Sequence, residues 1–145
     1  MVKVIITAPK GKMNSLILEE AVKCPDIEVV GTIGPKGRDY IGTEICGVKV
    51  YDDLDAVIDK CDLVVDFSGA NIAMDVLDVC LAHNKALLEG STGFTSEMNQ
   101  KIEDASKKIP LLKAANTSFM VNVLMKMLEF AAKNLHTTCD IEIMD

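Results

Sequence analysis

Four short runs in this chain combine glycine with small polar or basic residues, and each follows an apolar run. The first, Thr7 to Asn14, contains Ala8, Gly11, Lys12 and Met13. A dinucleotide turn uses glycines so that the backbone can approach a pyrophosphate closely, at a helix N-terminus whose free N–H groups attract anions. Only Gly11 is present here, with Ala8 and Asn14 where further glycines would help, so a plain strand-to-helix turn is an equal reading. The second run, Gly34-Pro35-Lys36-Gly37-Arg38, puts cations where a NAD site carries Asp or Glu for the ribose hydroxyls. Lys36 and Arg38 would attract a 2′-phosphate, which predicts NADP over NAD; the alternative is a solvated basic loop. The third and fourth, Asp66-Phe67-Ser68-Gly69-Ala70-Asn71 and Gly90-Ser91-Thr92-Gly93-Phe94, offer backbone N–H groups and hydroxyls to a polar ligand. Asp66 also reads as a cap of the next helix, whereas Thr92, between two glycines, is harder to explain by packing.

The elements that must position these runs alternate along the whole chain. Val2 to Thr7 is a β-branched run of the kind buried on both faces of a sheet. A helical pattern spans Lys12 to Lys23, a strand Ile27 to Ile33, and a loop the segment up to Gly47. Val48 to Tyr51 reads as a short strand, with Asp52 or Asp53 capping a brief helix through Ile58. Strands at Leu63–Phe67, Ala86–Glu89 and Leu111–Ala114 are each followed by a helix: Ala70 to His83, then Thr95 as cap to near Lys107, then Phe119 to Leu135. Ile141 to Met144 reads as a last strand. The alternation predicts an α/β fold: a doubly wound, mostly parallel, Rossmann-like sheet forming one dinucleotide-binding-like domain over residues 1–145. Ligands of such a sheet bind beyond the carboxyl ends of its strands, where the strand order reverses.

Bulk composition agrees. With 145 residues, 49% hydrophobic, 4% aromatic and no Trp, the core must be aliphatic, which suits a helix-covered parallel sheet. A net charge of −7 argues against nucleic acid or an anionic membrane as a general partner. No apolar stretch approaches the roughly 20 residues of a membrane span, and the N-terminal run is too short for a secretory signal. Cys24, Cys46, Cys61, Cys80 and Cys139 form no C-x-x-C pair, and His83 and His136 do not supply zinc spacing, so no metal site is expected. The thiols read as small apolar residues of a reducing cytoplasm.

Taken in order, the loops resemble dihydrodipicolinate reductase, a nicotinamide-dependent enzyme of lysine and diaminopimelate biosynthesis. Lys3 to Met13 is similar to that family's opening strand and Gly-x-x-Gly-Arg-Met-Gly turn, with Lys12 for Arg and Met13 retained. Val65-Asp66-Phe67-Ser68 resembles its Asp-Phe-Thr/Ser element. Gly90-Ser91-Thr92-Gly93-Phe94 resembles its Gly-Thr-Thr-Gly-Phe, which lines the nicotinamide end of the cofactor. Ala115-Asn116-Thr117-Ser118 through Asn122 resembles its Asn-Phe-Ser-x-Gly-Val-Asn hinge, and Asp140-Ile141-Glu142-Ile143 the strand that follows. The resemblance implies NADP or NAD as cofactor, weakly bound. It implies contacts from Ala8, Gly11, Lys12, Met13, Lys36, Arg38, Phe67, Ser68, Gly90, Thr92, Ala115 and Asn116.

The departures set further expectations. Ala8 and Asn14 replace glycines of the phosphate turn and should narrow it. Thr117 stands for an aromatic that would pack beside the nicotinamide, and Met120 for the hinge glycine. On this resemblance the family's His-His and Lys motif would begin just after Asp145, with the substrate domain, so no catalytic residue is assigned. Hydride transfer needs a positioned acceptor and a proton donor, and neither His83, at a helix end, nor His136 is a plausible replacement. Three readings stay open: a nucleotide-binding module without reductase activity alone, a subunit of an oxidoreductase completed by another chain, and an interaction or structural protein that has lost nucleotide binding. The helix from Phe119 to Leu135 is apolar nearly all round and the terminal strand would leave an edge, so a homodimer through both is expected.

Overall fold

The computed structural model describes residues 1–135, 138–140 and 142. The β-branched run at the start forms β1 (Val2–Thr7), and β2 (Ile27–Ile33), β3 (Glu44–Ile45), β4 (Val48–Tyr51), β5 (Leu63–Asp66), β6 (Ala86–Glu89) and β7 (Leu111–Lys113) follow. The helices are α1 (Lys12–Ala21), α2 (Ala70–Ala82), α3 (Ser96–Ser106) and α4 (Phe119–Leu135), with one turn of 3-10 helix at Ile58–Lys60. The chain divides into two compact units, Met1–Ala114 and Ala115–Asp145.

In the first unit the strands make one sheet in the order β3-β4-β2-β1-β5-β6-β7, parallel throughout except for the β3–β4 pair. The chain runs outward from β1 through β2 to β4, then returns to β5 on the other side of β1 and runs outward again. The order therefore reverses between β1 and β5, and the expected doubly wound α/β fold is present.

Both faces of the central strands are covered, which is why their sequences are continuously apolar. Ile5, Val64 and Leu87 pack on one face with Val76, Leu77 and Cys80 of α2 and with Ile102 and Ala105 of α3. Val4, Ile6 and Val65 pack on the other with Leu18 and Ala21 of α1. Each fully buried aliphatic side chain in these layers stabilises the fold by about 1.5–3 kcal/mol.

Three local expectations are corrected. The segment before Gly47 is not all loop, because Glu44 and Ile45 pair with Lys49 and Val48 across a turn in which Cys46 and Gly47 have φ of 51° and 75°. Two successive left-handed residues match the right-handed twist of a tight hairpin, and Cys46 gave no sign of adopting one. The helix expected after Asp52 or Asp53 is absent: the Asp53 carboxylate accepts the Asp55 N–H at 3.1 Å, and the 3-10 turn begins later without a side-chain cap. Helix α1 ends at Ala21, two residues before Lys23. Thr95 does cap α3, accepting the Met98 N–H at 3.3 Å.

The second unit consists chiefly of α4. Ser118 accepts the Val121 N–H at 3.3 Å, Asn116 accepts the Ser118 N–H at 2.8 Å, and Glu129 bridges Lys126 and Lys133. None of the α4 side chains is buried. His136 and all of the expected terminal strand except Glu142 lie outside the described residues.

Candidate functional site

The carboxyl ends of β1, β5 and β6 carry a row of polar side chains, where the inner layer would otherwise be aliphatic. Thr7, Asp66 and Glu89 each follow, two positions on, a residue of the α2–α3 face, namely Ile5, Val64 and Leu87, so strand alternation points all three to that side. All are at most 1% exposed. The Thr7 hydroxyl donates to Asp66 Oδ1, and the Ser91 hydroxyl donates to Asp66 Oδ2 at 3.1 Å while accepting the Gly69 N–H at 3.0 Å. Glu89 Oε1 accepts the Ser91 N–H at 2.7 Å. Burial first, and then the charge of Asp66, push the Glu89 carboxyl up to about 7.

Asp66 is thus not the cap of α2, whose N-cap is Gly69 without a side-chain bond. It is a buried bracket between the ends of β1 and β6. Sequence reasoning also passed over Glu89, which ends an otherwise apolar strand. The available signal was a lone carboxylate at a strand end, directly before the glycine loop.

Above this row two clefts adjoin, sharing Ala8 and Pro35. The larger, about 410 Å³, lies between the ends of β1 and β2 and the start of α2, and is lined by Thr7, Gly34, Lys36, Ser68 and Ile72 among others. Asp52, Asp53, Asp55 and Asp75 give its wall a negative side. The smaller, about 330 Å³, is lined by Lys10, Gly11, Arg38 and Tyr40 besides the shared pair. The Lys10 ammonium lies 4.1 Å from the centre of the Tyr40 ring, a cation–π contact within the lining of the cleft that Arg38 also lines. Lys10 and Tyr40 were not singled out from the sequence, although Lys10 directly precedes Gly11. The Ser68 hydroxyl is buried and has no hydrogen-bond partner among the described residues. An orphaned hydroxyl in a cleft wall is costly unless a ligand or water engages it.

The phosphate turn is built around Ala8 at φ 44°, a left-handed conformation that costs an L-residue about 1–2 kcal/mol. Two backbone bonds hold it there: the Ala8 N–H to Ile33 O at 2.7 Å, and the Gly11 N–H to Ala8 O at 2.8 Å. Asn14 does not narrow the ligand surface as expected. It is fully buried, and neither end of its amide has a partner among the described residues. As the residue four before Leu18, it lies on the side of α1 turned to the sheet.

The expected site residues are therefore partly united. Ala8, Gly11, Lys36, Arg38 and Ser68 line the paired clefts. Phe67 and Gly90 pack on each other so closely that a Cβ on Gly90 would come within 2.0 Å of the Phe67 ring. Thr92 is exposed beside Gly93, in the loop after β6, and lines neither cleft. Lys12 and Met13 are exposed on the first turn of α1 and line neither cleft. Ala115 and Asn116 belong to the second unit. His83, just after the end of α2, is half-buried; its ring bridges Asp55 at 3.0 Å and Asp59 at 3.4 Å. The bond to Asp55 leads in holding it above the ordinary imidazole range. No group of three metal-ligating side chains occurs among the described residues.

Residues 2–117 match the sequence model of a family described as "Dihydrodipicolinate reductase, N-terminus". The 4-hydroxy-tetrahydrodipicolinate reductase of Burkholderia orbicola (strain MC0-3) is 34% identical over 150 residues, which is 99% of this chain and 57% of that protein. The chain thus spans about half the length of the curated relatives it matches. Among solved structures, the dipicolinate-bound dihydrodipicolinate reductase of Paenisporosarcina sp. TG-14 aligns with a TM-score of 0.74 at 24% identity, covering 91% of this chain and 54% of that one. The biliverdin reductase of Synechocystis sp. PCC 6803, solved with biliverdin and NADP+, aligns at 0.70 with 16% identity over 96% of this chain and 44% of that one. These two likenesses show a shared fold. The family match spans β1 to β7, with every loop that builds the clefts, and the chain belongs to the dihydrodipicolinate reductase family through that family's N-terminal domain.

Proposed function

We propose that this chain binds a nicotinamide dinucleotide, NADP(H) in preference to NAD(H), along the two adjoining clefts, and does not by itself reduce the family's substrate. The observation that carries this reading is the pairing of Lys10 and Arg38 in the smaller cleft, whose lining holds no carboxylate, with Lys36 just after β2 in the larger one, whose four aspartates lie on its other lining segments. Three cations there suit a 2′-phosphate, and the guanidinium of Arg38 can hold it bidentately. The buried Ser68 hydroxyl supplies a further hydrogen bond, and the backbone at Gly11 the approach to the pyrophosphate. The residues thus fit the group, with the Ala8 side chain as the feature that weakens its grip. When bound, such a cofactor supplies a hydride; the chain's own groups bind and orient it.

Addition of NADPH to isotope-labelled protein tests this directly. Amide resonances of Ala8, Gly11, Lys36, Arg38 and Ser68 should move together in one saturable transition. Saturable movement confined to other parts of the chain would overturn the reading.

The same proposal covers assembly and compartment. We infer a homodimer formed through α4, on which Phe119 is 78% and Phe130 72% exposed and no side chain is buried. A helix apolar nearly all round is normally covered. A reducing cytoplasm suits the thiols: those described are free, and burial pushes Cys80 up to about 12, keeping it unreactive. Among the described residues no helix is long and apolar enough to cross a membrane.

A further inference from the structure

We propose that Glu89, buried beside Asp66, is held as the neutral acid, and that its proton sets the seating of the Gly90–Phe94 loop, making Glu89 a pH-sensitive positioning residue of the ligand site. The geometry assigns the proton. Both Asp66 oxygens accept from hydroxyl donors, those of Thr7 and Ser91. Glu89 uses Oε1 for the Ser91 N–H, whereas Oε2 is buried without a partner among the described residues. An ionised Glu89 would leave charge on that oxygen with no donor, beside the charge of its register partner Asp66 on the adjacent strand. The neutral acid, with its proton on Oε2, removes the charge and leaves only an O–H there, a far smaller cost than a buried unpaired charge.

Among the described residues no cation is paired with Glu89. From β7 the register partner is Lys113, whose ammonium is bound to Asn99 and lies 4.8 Å from the centre of the Phe94 ring. From α2 the titratable neighbour is Cys80, itself raised by burial and by Cys61, Asp66 and Glu89. From α3 the packed residues are Ile102 and Ala105. On β1 Thr7 brings a hydroxyl only.

Ser91 transmits the protonation state. Its N–H is held by Glu89, and its hydroxyl joins Asp66 to the Gly69 N–H at the start of α2, so one residue ties the loops after β5 and β6 together. When Glu89 ionises, its carboxylate is repelled by Asp66 and drawn toward water, and the Ser91 N–H loses its fixed acceptor. The sign follows from the raised carboxyl. The proton is held more firmly in the folded chain than in the unfolded one. The stabilisation is therefore full below the ordinary glutamate range and declines as pH rises through about 7.

The consequence for ligand affinity rests on the nucleotide reading above; the proton does not. The test is a carbon-detected titration of the glutamate carboxyls in the ligand-free 145-residue chain, with Ser91 amide shifts followed in parallel. One carboxyl should titrate near neutrality, the Ser91 amide should move with the same midpoint, and Glu89→Gln should abolish both movements. A Glu89 midpoint in the ordinary carboxylate range, or a Ser91 amide indifferent to it, overturns the proposal, and these wild-type readings decide even if the variant does not fold. NADPH affinity should then fall severalfold from about pH 6 to about pH 8 in the wild type and stay level in the Gln variant. No NADPH binding at any pH would sink the nucleotide reading and leave the proton assignment standing.

Discussion

Single residues at the strand ends decide how much room the ligand loops have. Gly90 is the tightest case, because any Cβ there meets the flat of the Phe67 ring. Gly90→Ala should destabilise the fold by about 3 kcal/mol, at the upper end of overpacking, and Phe67→Leu in the same chain should recover part of it. Chemical denaturation of the two single variants and the double variant measures this; a single Ala variant as stable as wild type would contradict the packing. Ala8 makes the opposite prediction. A left-handed φ of 44° favours glycine, so Ala8→Gly should gain up to about 1 kcal/mol after glycine's own entropic cost, and should tighten NADPH binding. A loss of stability on that change would show that the Ala8 methyl is needed for packing. The sequence exposed Gly90 and Ala8 through the glycine pattern around them. It concealed Glu89 and Asn14, since burial of a polar side chain depends on what the neighbouring elements place over it.

Elements were legible where periodicity was long. Strands β1, β2, β4 and β6 and helix α4 begin and end where hydrophobic patterning places them, because continuous apolar runs, the alternation of β4 and the long apolar run of α4 write their lengths in side chains. The hairpin of β3 and β4 left no such record: two paired residues and a left-handed Cys46 fall below any repeat. Capping was legible at α3, where Thr95→Ala should cost about 1 kcal/mol in thermal unfolding, and an unchanged melting temperature would deny the cap its role. Helix α4 shows the limit of patterning, since a helix largely apolar outside the polar stripe of Asn122, Lys126, Glu129 and Lys133 states that it will be covered without naming the cover. The proposed dimer predicts a light-scattering mass of two chains at micromolar concentration, falling toward one when Phe119 and Phe130 are replaced by polar residues. A one-chain mass in the unmodified protein would remove it.

At the scale of the whole molecule, the central claim is that a fold of this family binds a dinucleotide through basic residues at the end of β2, separately from turnover. The purified chain should therefore show no NADPH oxidation that depends on dihydrodipicolinate, and steady oxidation would contradict this part. The most direct test of the claim is calorimetric titration of the unmodified chain with NADPH and with NADH, alongside Lys36→Ala/Arg38→Ala. The prediction is weak but saturable binding, with NADPH favoured by about tenfold or more, as one or two charge-assisted bonds to a phosphate would give. NADPH at about 100 times its dissociation constant should stabilise the fold by roughly 2.7 kcal/mol, and the double variant should lose the preference while keeping the fold. Equal affinities for the two cofactors in the unmodified protein, or no binding of either, would contradict it.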